Sequence, residues 1–296
     1  MAHARNGAVE LWYETFGDTA DPTLLMINGL GSQCINFDAA LCERLAAEGL
    51  HVVRFDNRDM GRSTWFDEVA PDVAAVARAV AAGDAPEVPY TLSDMAADAV
   101  AVLDELGVES AHVFGVSMGG MIAQAVAIEH ADRVRSLISV MSTTGDRDVG
   151  QSSTEARALL MSPPPTDRES AMDRAVEGIR TWGSPEWFDE ERVRATAAAA
   201  FDRAFHPAGT ARQMMAITAA PSRTAALGSV AAPTLVIHGD VDTLVDASGG
   251  RRTAEAIPGA RLELVAGMGH DYPPPLWDRL VGLVVDHTRA ADTAVA

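Results

Sequence analysis

Residues 112–127, HVFGVSMGGMIAQAVA, set one serine among glycines where two apolar runs meet. Val113, Phe114 and Val116 read as the end of a buried strand, and the run from Met121 to Ile128 as a helix apolar on nearly every side. Strand therefore passes straight into helix. Gly115-Val116-Ser117-Met118-Gly119 fits the pattern G-x-S-x-G, in which a sharp turn exposes the serine Oγ and the residues two before and two after must be small because strand and helix crowd them. Gly120 is a further glycine, costing up to about 1 kcal/mol relative to alanine in a helix, and close packing is the reason expected for it. The plain alternative is a tight turn with an incidental serine, so the rest of the chain has to decide.

The alternation of short apolar strands with helices runs along much of the sequence. VELWYETFGD, TLLMI (23–27), HVVRFD (51–56), AHVFGV and VRSLISVM read as strands, and TLVIHG and ARLELVA resume the rhythm late in the chain. A helix is expected from about Asn36 to Glu48, an irregular Ala/Pro-rich stretch up to Tyr90, a helix capped by Thr91 and Asp94 and stopped at Gly107, and helices near 248–256 and 276–288. Such alternation predicts an α/β fold, a mostly parallel sheet with helices on both faces. Between Thr143 and about Arg223 the rhythm is lost: PPP at 163–165 and helical stretches such as ESAMDRAVEGIRTW stand there without a convincing strand. We expect a core domain of residues 1–144 and 223–296 and an inserted helical cap of residues 145–222.

Charge narrows the partners. The formal net charge is −19, and all 23 basic residues are arginines scattered without a polybasic run, which disfavours nucleic acid and anionic membrane surfaces. The N-terminus lacks a signal-peptide core and no stretch approaches the roughly 20 apolar residues of a membrane span, so no membrane insertion and a cytoplasmic location are expected. Self-association into a homo-oligomer stays open. Cys34 and Cys42, placed on one helix about 12 Å apart, read as buried thiols rather than a disulfide.

A serine hydroxyl becomes a nucleophile when a base takes its proton and an acid orients the base. In a sheet of this kind both partners follow the serine in the order acid, histidine, at the ends of later strands. TLVIHGDVDTLV supplies Asp240 and Asp242, and LELVAGMGHDYPPP supplies His270. Asp242, farther into its loop, is preferred to Asp240, with Asp146 third. His270 has the loop position a base requires, whereas His51, His112 and His130 read as structural and His238 as a support. The backbone N–H groups of Met118 and of Leu30, in NGLG, are the expected oxyanion donors. No spacing suggests a metal site, and no cofactor is expected.

With ELWYETFGD, NGLG, FDNRDMGRST, GVSMGGMIAQ, VIHGDVD and GMGH all present, the chain resembles the α/β-hydrolase fold superfamily over nearly its full length. Within it, the chain looks most like the capped bacterial serine esterases that include aclacinomycin methylesterase. The resemblance implies an eight-stranded sheet, a helical cap over the pocket, and Ser117, Asp242 and His270 as a triad. Asn28-Gly29 stands where relatives often carry His-Gly, which leaves a backbone donor in place but changes the side chain that shapes the loop. Asp56, Arg58, Asp59 and Arg62 read as a salt-bridged support.

The expected function is a cofactor-independent serine hydrolase that cleaves a small-molecule carboxylic ester through an acyl-enzyme. Alternatives on the same residues are a polyketide methylesterase, a lactonase, a C–C hydrolase or a perhydrolase; from another class, a low-turnover ligand receptor. The cap segment carries Met161, Trp182, Trp187, Phe188, Phe201, Phe205, Met214 and Met215. Helical spacing makes most of these cap core, and Trp182, Trp187, Met214 and Met215 are the candidates for substrate contact, suited to a hydrophobic acyl or alcohol part.

Overall fold

The computed structural model describes residues 2–295. Strands β1 (His3–Asn6), β2 (Val9–Phe16), β3 (Thr23–Ile27), β4 (His51–Phe55), β5 (Ala111–Val116), β6 (Val134–Val140), β7 (Thr234–Gly239) and β8 (Arg261–Val265) form one eight-stranded sheet in the order β1-β2-β4-β3-β5-β6-β7-β8. β2 runs antiparallel to both β1 and β4, and every other pairing is parallel. The α/β architecture expected from the alternation is thus present.

Period-two alternation sends neighbouring residues to opposite faces. Leu25, Ile27, Val53 and Val113 join one buried cluster, beneath helices α3 (Leu92–Glu105) and α4 (Met118–Glu129). Leu24, Met26, Val52, Phe114 and Val116 join the other, with α1 (Ala39–Ala47) and α11 (Trp277–Val295). Both faces are covered, which is why these strands read as continuous apolar runs rather than alternating ones.

Three expectations need correction. The helix expected from Asn36 is divided: Cys34–Asn36 forms a 3-10 turn, and Asp38 then caps α1 through the Ala40 N–H. Cys34 and Cys42 consequently lie on different elements, both buried and free. The stretch before Tyr90 contains α2 (Val73–Ala82), started by the Asp72 side chain on the Ala75 N–H and ended at Gly83, whose φ of 80° suits glycine. The last helix also runs past Thr288. The capping box of α3, by contrast, is formed by Thr91 and Asp94 as expected.

Between β6 and β7 the chain makes α5 (Thr154–Leu160), α6 (Arg168–Trp182), α7 (Glu190–Arg203), α8 (Pro207–Ala219) and α9 (Thr224–Leu227), with no strand assigned among them; α10 (Ser248–Ala256) follows β7. α6 packs along α7, and α8 along α2. Two buried arginines tie this helical segment down to the loop after β4: Arg203 bonds Asp56 at 2.7 Å, and Arg212 forks onto both oxygens of Asp59. Arg58 pairs with Asp98 on α3, and Arg62 lies over the Trp12 ring. The four charged residues of FDNRDMGR form no ion pair among their side chains, although the Arg62 N–H donates to Asp56 Oδ2 at 2.9 Å; each carboxylate is paired with an arginine from between β6 and β7.

Candidate active site

Ser117 stands between β5 and α4 with φ 56° and ψ −120°, a conformation that a residue bearing Cβ adopts only when its surroundings impose it. The Ser117 N–H donates to Val140 O at 2.9 Å, and Ser142 Oγ donates to Ser117 O at 2.8 Å. A Cβ on Gly115 would lie 2.1 Å from Gly119 O, one on Gly119 2.0 Å from Ile27 O, and one on Gly120 2.5 Å from Ser142 Cβ. The elbow's glycines are thus required by the packing of α4 on β5, β3 and the loop after β6, and Gly120 has the close-packing reason expected of it.

His270 and Asp242 reach Ser117 from the loops after β8 and β7. His270 Nε2 lies 3.0 Å from Ser117 Oγ, and His270 Nδ1 2.7 Å from Asp242 Oδ2. The tautomer that satisfies both contacts donates from Nδ1 to the carboxylate and accepts the serine proton at Nε2. Asp242 Oδ1 accepts two backbone N–H groups, from Leu244 and Val245. Burial pushes the Asp242 carboxyl up, but the charge of His270 and the hydrogen bonds of His238 and His270 outweigh it and hold the group at about 2. It is a fixed anion across the pH range in which a histidine titrates.

The competing residues are committed elsewhere. Asp240 accepts the Gly267 N–H, and Asp146 is bound by Ser222, Thr224 and Arg252. His238 Nε2 lies 2.8 Å from Val245 O and 3.5 Å from Asp242 Oδ2, so it supports the acid's loop. His112 faces Ser136, and His51 faces Thr23, both inside the sheet's packing.

Leu30 and Met118 lie beside the serine, and their N–H groups donate to no backbone acceptor among the described residues. Gly29 is close enough that an added Cβ would stand 3.2 Å from Ser117 Cβ. Asn28 shapes this loop by donating from Nδ2 to Gln33 O at 2.8 Å while its own carbonyl accepts from Asn57. A side-chain amide thus ties the loop together at the position where histidine is common.

Above the serine lies a cavity of about 1310 Å³, walled by the loops at the strand ends and by α5 to α8. Trp182, Trp187 and Met214, candidates for substrate contact, line it. Met215 does not: it is buried and absent from the cavity wall, because consecutive helical residues point about 100° apart and Met214 takes the inward direction. The expectation that most of the eight large apolar residues form cap core is also corrected, since six of them, Met161, Trp182, Trp187, Phe201, Phe205 and Met214, line the cavity. Ser184 and Asp271, which adjoin Trp182 and His270, were not marked by any sequence motif. No group of three or more His, Cys, Asp or Glu suited to a metal is found among the described residues.

Residues 22–272 match the family model for the alpha/beta hydrolase fold. The chain belongs to the α/β-hydrolase family. Among similar curated proteins, it is 32% identical to the rhodomycin D methylesterase DauP of Streptomyces sp. (strain C5), over 96% of each chain, and 32% identical to the rhodomycin D methylesterase DnrP of Streptomyces peucetius, over 97% of each. Among solved structures, an enol-lactonase from Burkholderia xenovorans LB400 superposes with a TM-score of 0.73 at 24% identity, covering 97% of this chain and 99% of that one. At that identity the likeness speaks for the α/β-hydrolase fold alone. No helix among the described residues is long and apolar enough to cross a membrane.

Proposed function

We propose that this α/β-hydrolase is a serine carboxylesterase whose substrate is a simple alkyl ester, such as a methyl ester, on a bulky and largely apolar acid. The observation that carries the reading is the continuous path from Asp242 through His270 to Ser117, at 2.7 and 3.0 Å. His270 Nε2 takes the hydroxyl proton as Ser117 Oγ attacks the ester carbonyl. The developing oxyanion lies toward the N–H groups of Leu30 and Met118, at the positive end of α4. His270 then gives its proton to the departing alcohol, leaving an acyl-enzyme on Ser117. Water, deprotonated by the same imidazole, releases the acid, and Asp242 steadies the imidazolium in both halves.

The substrate class rests on the cavity and on the relatives. A volume of about 1310 Å³ exceeds the 300–1,000 Å³ usual for small-molecule sites, and its wall offers tryptophan, phenylalanine and methionine more than charge. The two methylesterases similar to this chain along nearly all of its length support a small alcohol as the leaving group. On this reading the helices between β6 and β7, residues 145–222, act as a cap that encloses the acid.

Intact mass after treatment with a fluorophosphonate, on wild type and Ser117→Ala in parallel, tests the nucleophile. One adduct on the wild type and none on the variant is expected; an adduct on both overturns the assignment of Ser117, and none on either overturns the activated serine. A series of esters then tests the pocket, and rates that fall steadily from acetate onward would contradict an apolar cavity made for a bulky acid.

A further inference from the structure

The loop that carries His270 is held on two sides. On the core side, Val241 N–H donates to Met268 O at 3.2 Å and Met268 N–H to Val265 O at 3.2 Å. From Gly269 onward the partners are Trp182, the last residue of α6, and Ser184, two residues beyond it. The His270 N–H donates to Trp182 O at 2.6 Å. Gly269 N–H donates to Ser184 Oγ at 2.9 Å, and Ser184 returns two hydrogen bonds to Asp271 Oδ1, from its N–H at 2.9 Å and from its hydroxyl at 2.5 Å. Three consecutive residues of the inserted segment thus meet three consecutive residues around the histidine.

The fit leaves no slack. Ser184 is 1% exposed, and a Cβ on Gly269 would stand 2.3 Å from Gly183 O and 2.5 Å from Trp182 O. The last glycine of GMGH is therefore needed for the inserted segment to lie against the backbone of the base, at a distance no other residue permits. The Ser184 hydroxyl has one proton, which it gives to Asp271, and a lone pair, which takes the Gly269 N–H; both capacities are used.

We propose that Ser184 and Asp271 are positioning residues for His270, so that the base is aligned by the end of α6 as well as by Asp242. This rests on the reading of His270 as the base of Ser117. The sheet fixes where the loop leaves β8, and the Ser184–Asp271 clasp fixes the peptide on either side of the imidazole. A general base has to hold its nitrogen within hydrogen-bond reach of the serine, and displacements near 1 Å cost about a hundredfold in rate. Because Trp182 both lines the cavity and accepts the His270 N–H, whatever presses on the indole is transmitted to the base through one peptide.

The test uses the full chain and a small ester such as p-nitrophenyl acetate, which does not fill the cavity, so that altered cavity shape registers little. Ser184→Ala is expected to lower kcat about 10- to 100-fold with little change in KM, to slow fluorophosphonate labelling of Ser117 in parallel, and to broaden or abolish the downfield proton resonance of His270 Nδ1–H on Asp242. Asp271→Ala should follow it, and the conservative variant Asp271→Asn, which keeps the accepting oxygen, should recover most of what Asp271→Ala loses. Wild-type kcat, labelling rate and downfield resonance in Ser184→Ala, whatever its Tm, would overturn the positioning role alone. A wild type that takes no fluorophosphonate would remove the serine–histidine pair and this proposal with it.

Discussion

The guanidinium of Arg212 grips Asp59 with two nitrogens, Nη2 at 2.7 Å and Nε at 2.8 Å, across the boundary between α8 and the loop after β4. Neither side chain is more than 1% exposed, and Asp59 also accepts the Tyr90 hydroxyl and the Phe66 N–H. Burial raises the Asp59 carboxyl, and these donors outweigh it and lower the group below the usual carboxylate range. Such a pair gives little net stability over an apolar replacement, yet breaking one side strands a buried charge.

Arg212→Ala should therefore destabilise the protein by about 3–5 kcal/mol. Combining it with Asp59→Asn should cost distinctly less than the sum of the two single variants, as urea unfolding would measure. Additive losses would mean that the two groups do not act as a pair.

The positive φ of Ser117, 56°, makes a second expectation. Ser117→Ala and Ser117→Gly should both abolish hydrolysis, but only glycine relieves the left-handed backbone, worth about 1–2 kcal/mol. Thermal unfolding should place Ser117→Gly above Ser117→Ala by several degrees, with the alanine variant close to wild type. Equal melting temperatures would mean that the elbow is not strained.

Asp242, held at about 2 in the folded chain, titrates near 3.9 when unfolded. A lowered carboxylate contributes stability that is fully present above its unfolded value and disappears as the pH falls toward its folded one; here the window runs from about pH 4 to pH 2, and the contribution is about 2 kcal/mol. Asp242→Asn should lose most activity and flatten the dependence of unfolding free energy on pH between about 4 and 2 relative to wild type. Asp240→Asn should keep far more activity. The reverse order would reassign the acid.

Neither thiol should react in the folded protein. Burial first, then Asp56, pushes the Cys34 thiol far above the usual range, and burial pushes Cys42 up to about 12. Titration with a chromogenic disulfide should find no free thiol natively and both after denaturation. Rapid native labelling of either would mean that its cover opens.

What the sequence disclosed and what it hid follow from distance along the chain. The elbow, the strand ends and the capping box of α3 are local patterns, and the order of serine, acid and histidine is a property of the chain itself. α2 escaped because its VAAVARAVAA run shows no polar face and only Val76 is buried, although Asp72 and Gly83 mark its ends. Met215 was misplaced because adjacent residues of equal hydropathy carry no sign of which one points inward. The Arg212–Asp59 pair spans 153 residues and the Ser184–Asp271 clasp 87; charge and hydroxyl groups at such separations have no periodicity to announce them, and only the packed helices bring them together.

The Arg223 N–H donates to Thr144 O at 2.9 Å, so the stretch that carries α5 to α8 between β6 and β7 begins and ends one hydrogen bond apart. Some eighty residues are thereby spliced in at a gap no wider than an ordinary hairpin's. Ends held this close let a segment change in length and sequence at little cost to the strands on either side, so the walls above Ser117 can vary while the sheet that holds Ser117 stays as it is.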